Sequence, residues 1–173
     1  MSQMHVCLLV GLVLNFAGCT SSNNTGTAVT PSPEAAKYLL SAEPAAAQEV
    51  AVAKKEVKDG DDVTLIGRIG GSESPFVSGR AAFTIVDTKL VPCSERAGDS
   101  CPTPWDYCCD TDQLPASTAS IKVVDESGKT VAIDAKSGLG LKELQTIIVK
   151  GKAKRDEAGN LNVLASGIFV KKK

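Results

Sequence analysis

The sequence predicts a mainly β protein: a small five- to six-stranded barrel with a cysteine-rich insertion, preceded by short helical segments. Three observations carry that expectation. From residue 62 onward apolar residues recur at every second position, the period of a strand with one face turned inward. Clusters of Asp, Gly, Asn, Ser and Lys break the pattern at 58–61, 126–129 and 156–160, where tight turns belong. Between the second and third strands the rhythm stops for a stretch that holds four of the six cysteines and the only tryptophan.

Taken in order, the lead-in over 34–60 reads as short helices. Ser32 is placed to cap, Pro33 suits a first turn and Glu34 complements the helix dipole. A second, Ala-rich patch over 43–57 opens on Pro44 and sets Val50, Ala53 and Val57 on one face. The barrel domain is expected over 61–173. Val63, Leu65, Gly67 and Ile69 form the inward face of a first strand, and Ala81, Phe83 and Ile85 that of a second. The insertion occupies 88–118. Ile121 and Val123 begin a third strand, which turns into a further extended run at 130–133, and 139–144 reads as one helical turn. Residues 145–154 form the next strand, with Ile147, Val149, Gly151 and Ala153 on one face and Lys150, Lys152 and Lys154 on the other. Residues 161–170 form the last.

The runs Val63-Thr64-Leu65-Ile66-Gly67-Arg68-Ile69, Ala82-Phe83-Thr84-Ile85-Val86-Asp87, Ile148-Val149-Lys150-Gly151-Lys152 and Val163-Leu164-Ala165-Ser166-Gly167-Ile168 together resemble the OB-fold over residues 62–170. That resemblance implies a small barrel of the type that binds oligonucleotides or oligosaccharides. The cysteine insertion departs from a plain OB-fold.

Composition narrows the chemistry. The chain has 173 residues, 19 Lys+Arg against 20 Asp+Glu, and a net charge of −1, without the basic surplus of a nucleic-acid binder. Base-stacking aromatics are also missing: Phe83 is the only aromatic in the strands before the last. The only histidine is His5, and both methionines, Met1 and Met4, lie in the leader. Once the leader is removed, Ser-His and Cys-His pairs, His-ligated zinc and His- or Met-held haem are all excluded. No catalytic residue and no cofactor is expected.

The leader itself is the apolar run 6–17, too short for a bilayer span of about 20 residues and right for the core of a signal peptide over 1–18. It ends in Phe16-Ala17-Gly18-Cys19, which resembles a bacterial lipobox. The resemblance implies cleavage after Gly18, lipidation of Cys19 and a membrane partner through that anchor. Residues 19–33 are small, polar and proline-bearing, a flexible tether that reaches roughly 45–50 Å when extended. The expected place is therefore the bacterial cell envelope, facing the periplasm or exterior.

The insertion carries the spacing Cys93-x7-Cys101-x6-Cys108-Cys109. In an exported protein these four most simply form two disulfides, joining Cys93 and Cys101 to Cys108 and Cys109 in either order. Cross-links are expected because a loop of about 30 residues with few apolar side chains lacks burial to order it. The alternative is a four-cysteine metal site at Cys93, Cys101, Cys108 and Cys109, against which the C-x2-C spacing usual for such sites is missing. Redox chemistry ranks below both, since Arg96 is the only cation within the stretch. The acidic neighbours Asp99, Asp106, Asp110 and Asp112 read as solvated surface. Trp105, Tyr107 and Phe76 are the candidate partner surface, for an envelope protein or a glycan. The function expected is binding or scaffolding at the envelope.

Overall fold

The computed structural model describes Met1 and residues 31–172. The expected signal peptide, Cys19 and most of the expected tether lie outside the described residues. Among them, no helix is long and apolar enough to cross a membrane.

Strand β2 (Asp62–Ile69) has the alternation expected of it: Val63, Leu65, Gly67 and Ile69 are buried and the residues between them are not. It pairs antiparallel with β5 (Thr146–Arg155) from Asp62↔Lys152 to Arg68↔Thr146. On its other edge it meets β1 (Gln48–Glu49), in parallel at Leu65 and Ile66, and then β3 (Ala82–Val86), antiparallel at Arg68 and Ile69. Strand β3 pairs with β4 (Thr118–Val123), β4 runs parallel to β6 (Leu161–Val170), and β6 returns antiparallel to β5. The ring β2–β3–β4–β6–β5–β2 is closed by hydrogen bonds, and its one parallel junction is β4 with β6. This is the OB-like barrel class that the sequence predicts.

The core follows from the alternation: Leu65, Ile69, Phe83, Ile85, Ile121, Ile147, Val149, Val163 and Ile168 all point inward and exclude water. Aliphatic residues supply nearly all of it, each contributing about 1.5–3 kcal/mol by burial. Helix α1 (Pro33–Ala36) is capped by the Ser32 side chain, 3.3 Å from the Ala35 amide, as its sequence implies. Helix α2 (Val50–Glu56) buries Val50 and Ala53 in the same core. It is shorter than the expected 43–57, because 48–49 pair with β2 instead. Its ends are held from outside the helix. Asp87 accepts the Ala51 amide at 2.8 Å, and Arg155 donates to the Lys54 and Val57 carbonyls at 2.8 Å.

Two expected elements did not form. Residues 130–133 make only an isolated bridge, Thr130 to Val124, and 139–144 are turns with Leu139 and Leu141 buried. Val131 donates to the Val123 carbonyl at 2.9 Å and its own carbonyl accepts from the Ala81 amide at 3.0 Å, so the run meets β4 on the edge that β3 already holds.

Packing is close at the β5–β6 bulge between Lys150 and Gly151. A methyl group on Gly151 would come within 2.2 Å of the Leu164 carbonyl oxygen, a backbone atom that has nowhere to go. Gly151→Ala is therefore expected to lower the unfolding free energy by about 1–3 kcal/mol, the range for overpacking, as measured by urea denaturation.

Candidate functional site

The segment between β3 and β4 is folded onto the barrel rather than hanging from it. Its ends meet where the Asp87 amide donates to the Ser117 carbonyl at 2.8 Å. Val86, on the outer face of β3, packs with Leu90 and Tyr107, and Leu114 leans on the three. This small second core is what the sequence reading missed. It takes one residue from a strand face expected to meet solvent and three that are far apart in the chain.

Docking depends on the two glycines that follow β2. The Gly71 amide donates to the Trp105 carbonyl at 2.8 Å. A side chain on Gly70 would stand 2.5 Å from that carbonyl oxygen and 3.0 Å from Tyr107 Cε2. Trp105 Nε1 donates to the Glu73 carbonyl at 2.9 Å, and Arg68 reaches Glu95 at 3.0 Å. Strand β2 and the loop after it thus hold the insertion at three places.

Tyr107 turns the chain. Its left-handed backbone (φ 57, ψ 39) leads into a single 3-10 turn, Cys108–Asp110. Its ring is fully buried, so it is not the surface residue expected, and its hydroxyl has no hydrogen-bond partner among the described residues. Burial raises its pKa to about 12, although the nearby Arg68 guanidinium pulls the other way. Phe76 is also turned away from a partner surface. It is half-buried against the core, with its ring centroid 6.0 Å from that of Phe83. Of the three aromatics, Trp105 stays half-exposed within the insertion.

The four cysteines are drawn together by these turns. Cys93 is buried at the start of a 3-10 turn, Cys93–Glu95, and its amide donates to the Pro104 carbonyl at 3.2 Å. Its sulfur lies 3.6 Å from that of Cys108 and 4.0 Å from that of Cys109, while Cys101 and Cys108 are 3.8 Å apart. A disulfide needs about 2.05 Å. The two expected disulfides are therefore absent: Cys93, Cys101, Cys108 and Cys109 are all free. The reason is geometric. Cys93 approaches Cys108 and Cys109, and Cys108 approaches Cys93 and Cys101, all at contact rather than bonding distance.

The acidic neighbours correct the reading of a solvated surface. Asp106 accepts the Cys108 amide at 2.9 Å on one oxygen and the Thr103 hydroxyl at 2.8 Å on the other. Asp99 accepts the Cys101 amide at 2.7 Å and lies 3.6 Å from the Cys109 sulfur. Asp110 is buried, paired with Arg96 and bonded by Gln113. Asp112 alone keeps to solvent. Donor atoms of Cys93, Cys101, Asp106 and Cys108 lie within 4.8 Å of one another, as do those of Cys93, Asp99 and Cys109.

This crowding works against a free thiolate nucleophile. Hydrogen bonding to Cys93 and Cys101 pushes the Cys108 thiol up, with burial and Asp106 adding to it. Hydrogen bonding to Cys93 likewise raises Cys109, helped by burial and Asp99. The one nearby cation, Arg96, is committed to Asp110. A redox role needs the reverse, a thiol pKa lowered by positive charge.

No family model matches the chain, and none of the curated proteins searched does. Among solved structures, it is similar to an OBody, AM1L10, bound to hen egg-white lysozyme. The TM-score is 0.41 at 14% identity, over 78% of this chain and 99% of that one. It is also similar to the hypothetical protein ygiW from E. coli, with a TM-score of 0.38 at 15% identity, over 74% and 94% of the two chains. At those scores neither likeness adds to what the strand pairing shows.

Two substitutions at one contact should act in opposite directions. Gly70→Ala is expected to lower the melting temperature and to speed amide exchange at Gly71, since the loop must lift from β2. Tyr107→Phe removes a buried hydroxyl that lacks a partner and should be neutral or stabilising by up to about 1 kcal/mol. It should also flatten part of the pH dependence. Tyrosine ionises near 10.0 when unfolded and near 12 here, so its burial contributes stability in full below pH 10.0 and loses it progressively above. Denaturation midpoints at neutral pH and across that range check both.

Proposed function

We propose that the protein is an exported binding or scaffolding module of the bacterial cell envelope, held to a membrane by lipid on Cys19, with the cysteine-bearing loop as its contact surface. The observation that carries the second part is the seating of that loop on Gly70 and Gly71. A loop held only at its ends would lose much conformational freedom on binding. One already fixed by backbone packing, the Arg68–Glu95 pair and the Trp105 bond is ordered beforehand, which favours affinity. Half-exposed Trp105 and exposed Val91 lie in it, and an envelope protein or a glycan is the kind of partner such a surface takes.

Export is supported by the apolar run 6–17 and by Phe16-Ala17-Gly18-Cys19. The reading includes no catalysis. Residues 20–173 contain no histidine, and the crowded thiols are raised rather than activated. Nucleic acid is disfavoured as a partner by the net charge of −1. The exposed lysines Lys152 and Lys154 are each paired with an aspartate, Asp62 and Asp59.

The anchor is tested by growing bacteria that express the full chain with an alkyne-bearing fatty acid. Labelled wild-type protein in the membrane fraction, with Cys19→Ser unlabelled, is the expected result; an unlabelled wild type sinks the anchor. The contact surface is tested with a photo-crosslinking residue at Val91 or, as a control, at Glu157. Adducts in intact cells are expected only from Val91, and adducts from both positions or neither rule out the loop as the contact.

A further inference from the structure

The geometry points to a metal site in the insertion: Cys93, Cys101, Cys108 and Asp106 offer four donors to a thiophilic divalent cation, zinc above all. Ligand sulfurs at 2.3 Å from zinc stand about 3.8 Å apart when the angles are tetrahedral. Here Cys93 and Cys108 are 3.6 Å apart and Cys101 and Cys108 are 3.8 Å apart, and all four donors lie within 4.8 Å of one another. Cys108 stands within 3.8 Å of both Cys93 and Cys101, as a donor that shares one centre with them does.

Only one of the two adjacent cysteines is needed by the ion. After the left-handed Tyr107 and its turn, Cys108 meets Cys101 and Asp106 while Cys109 meets Asp99, with Cys93 within reach of both. Asp106 takes the place of the fourth sulfur. Its carboxylate is oriented from both sides, by the Cys108 amide and the Thr103 hydroxyl, as the outer partners of metal ligands commonly are. Cys93 closes the inner side of the site while exposed Cys108 leaves it open to solvent for loading.

Binding a divalent ion there would form three metal–sulfur bonds and one metal–oxygen bond and release three thiol protons to solvent, with no change in oxidation state. The ion would cross-link 93 to 108, between the two 3-10 turns of the insertion. This inference rests on donor geometry and stands whether or not the chain is exported.

The test uses the full chain, purified from membranes or cytosol without chelator. Elemental analysis is expected to find about one zinc per chain, and thiol alkylation to be slow until a chelator is added. Replacement by cobalt should give the visible bands of a tetrahedral site and a thiolate-to-cobalt charge-transfer absorption. Cys101→Ser should weaken cobalt binding by more than about tenfold. Asp106→Asn, which leaves every thiol in place and guards against a misfolded cysteine variant, should shift the cobalt spectrum, while Cys109→Ser should not. Metal-free protein whose four cysteines map to two disulfides overturns the proposal, as does metal that Cys101→Ser and Asp106→Asn both leave unchanged.

Discussion

Strand β2 is used on both edges and past its end, and the rest of the molecule is arranged around that. One edge is spent on β5 over seven consecutive pairs, which closes the ring. The other is shared between β1, at Leu65 and Ile66, and β3, at Arg68 and Ile69. A closed ring leaves fewer unpaired amides and carbonyls at exposed edges, where they invite association. Its interior can then be filled by Val, Ile and Leu with little aromatic bulk.

The same chain direction carries β2 into Gly70 and Gly71, where the insertion is seated. Glycine matters here for approach: the Trp105 carbonyl and the Tyr107 ring occupy the space a side chain on Gly70 would need. Once Tyr107 is fixed there, its left-handed backbone sets where the next two cysteines go. The disposition of the sulfurs is thus a consequence of packing on the barrel, several residues removed from the sulfurs themselves.

Much of the barrel was legible in the chain because alternation is a local property. Val63, Leu65, Gly67 and Ile69 face inward as their spacing requires, and Ser32 caps α1 as its position before Pro33 implies. The extended run at 130–133 was not, because a β-prone segment becomes a strand only where a free edge awaits it, and β3 holds the edge of β4 that Val131 meets. The helical patch was cut short at 48–49 for a related reason, the open edge of β2 beside it. At the candidate site the cysteines were found from composition alone. Asp106 was seen only as an acidic neighbour, and Tyr107 as a surface ring, because the first is held by bonds to Thr103 and Cys108 and the second by packing on Gly70 and Val86.

The sequence by itself determined the class of fold, the chemistry that histidine would have brought and does not, and the stretch in which anything unusual must happen. These follow from periodicity, composition and spacing, which are complete in one dimension. Tertiary structure decided the closure of the ring with β4 parallel to β6, the burial of Tyr107 and the way four sulfurs stand relative to one another. Each is a distance between residues far apart in the chain, and it exists only once β2 has brought them together.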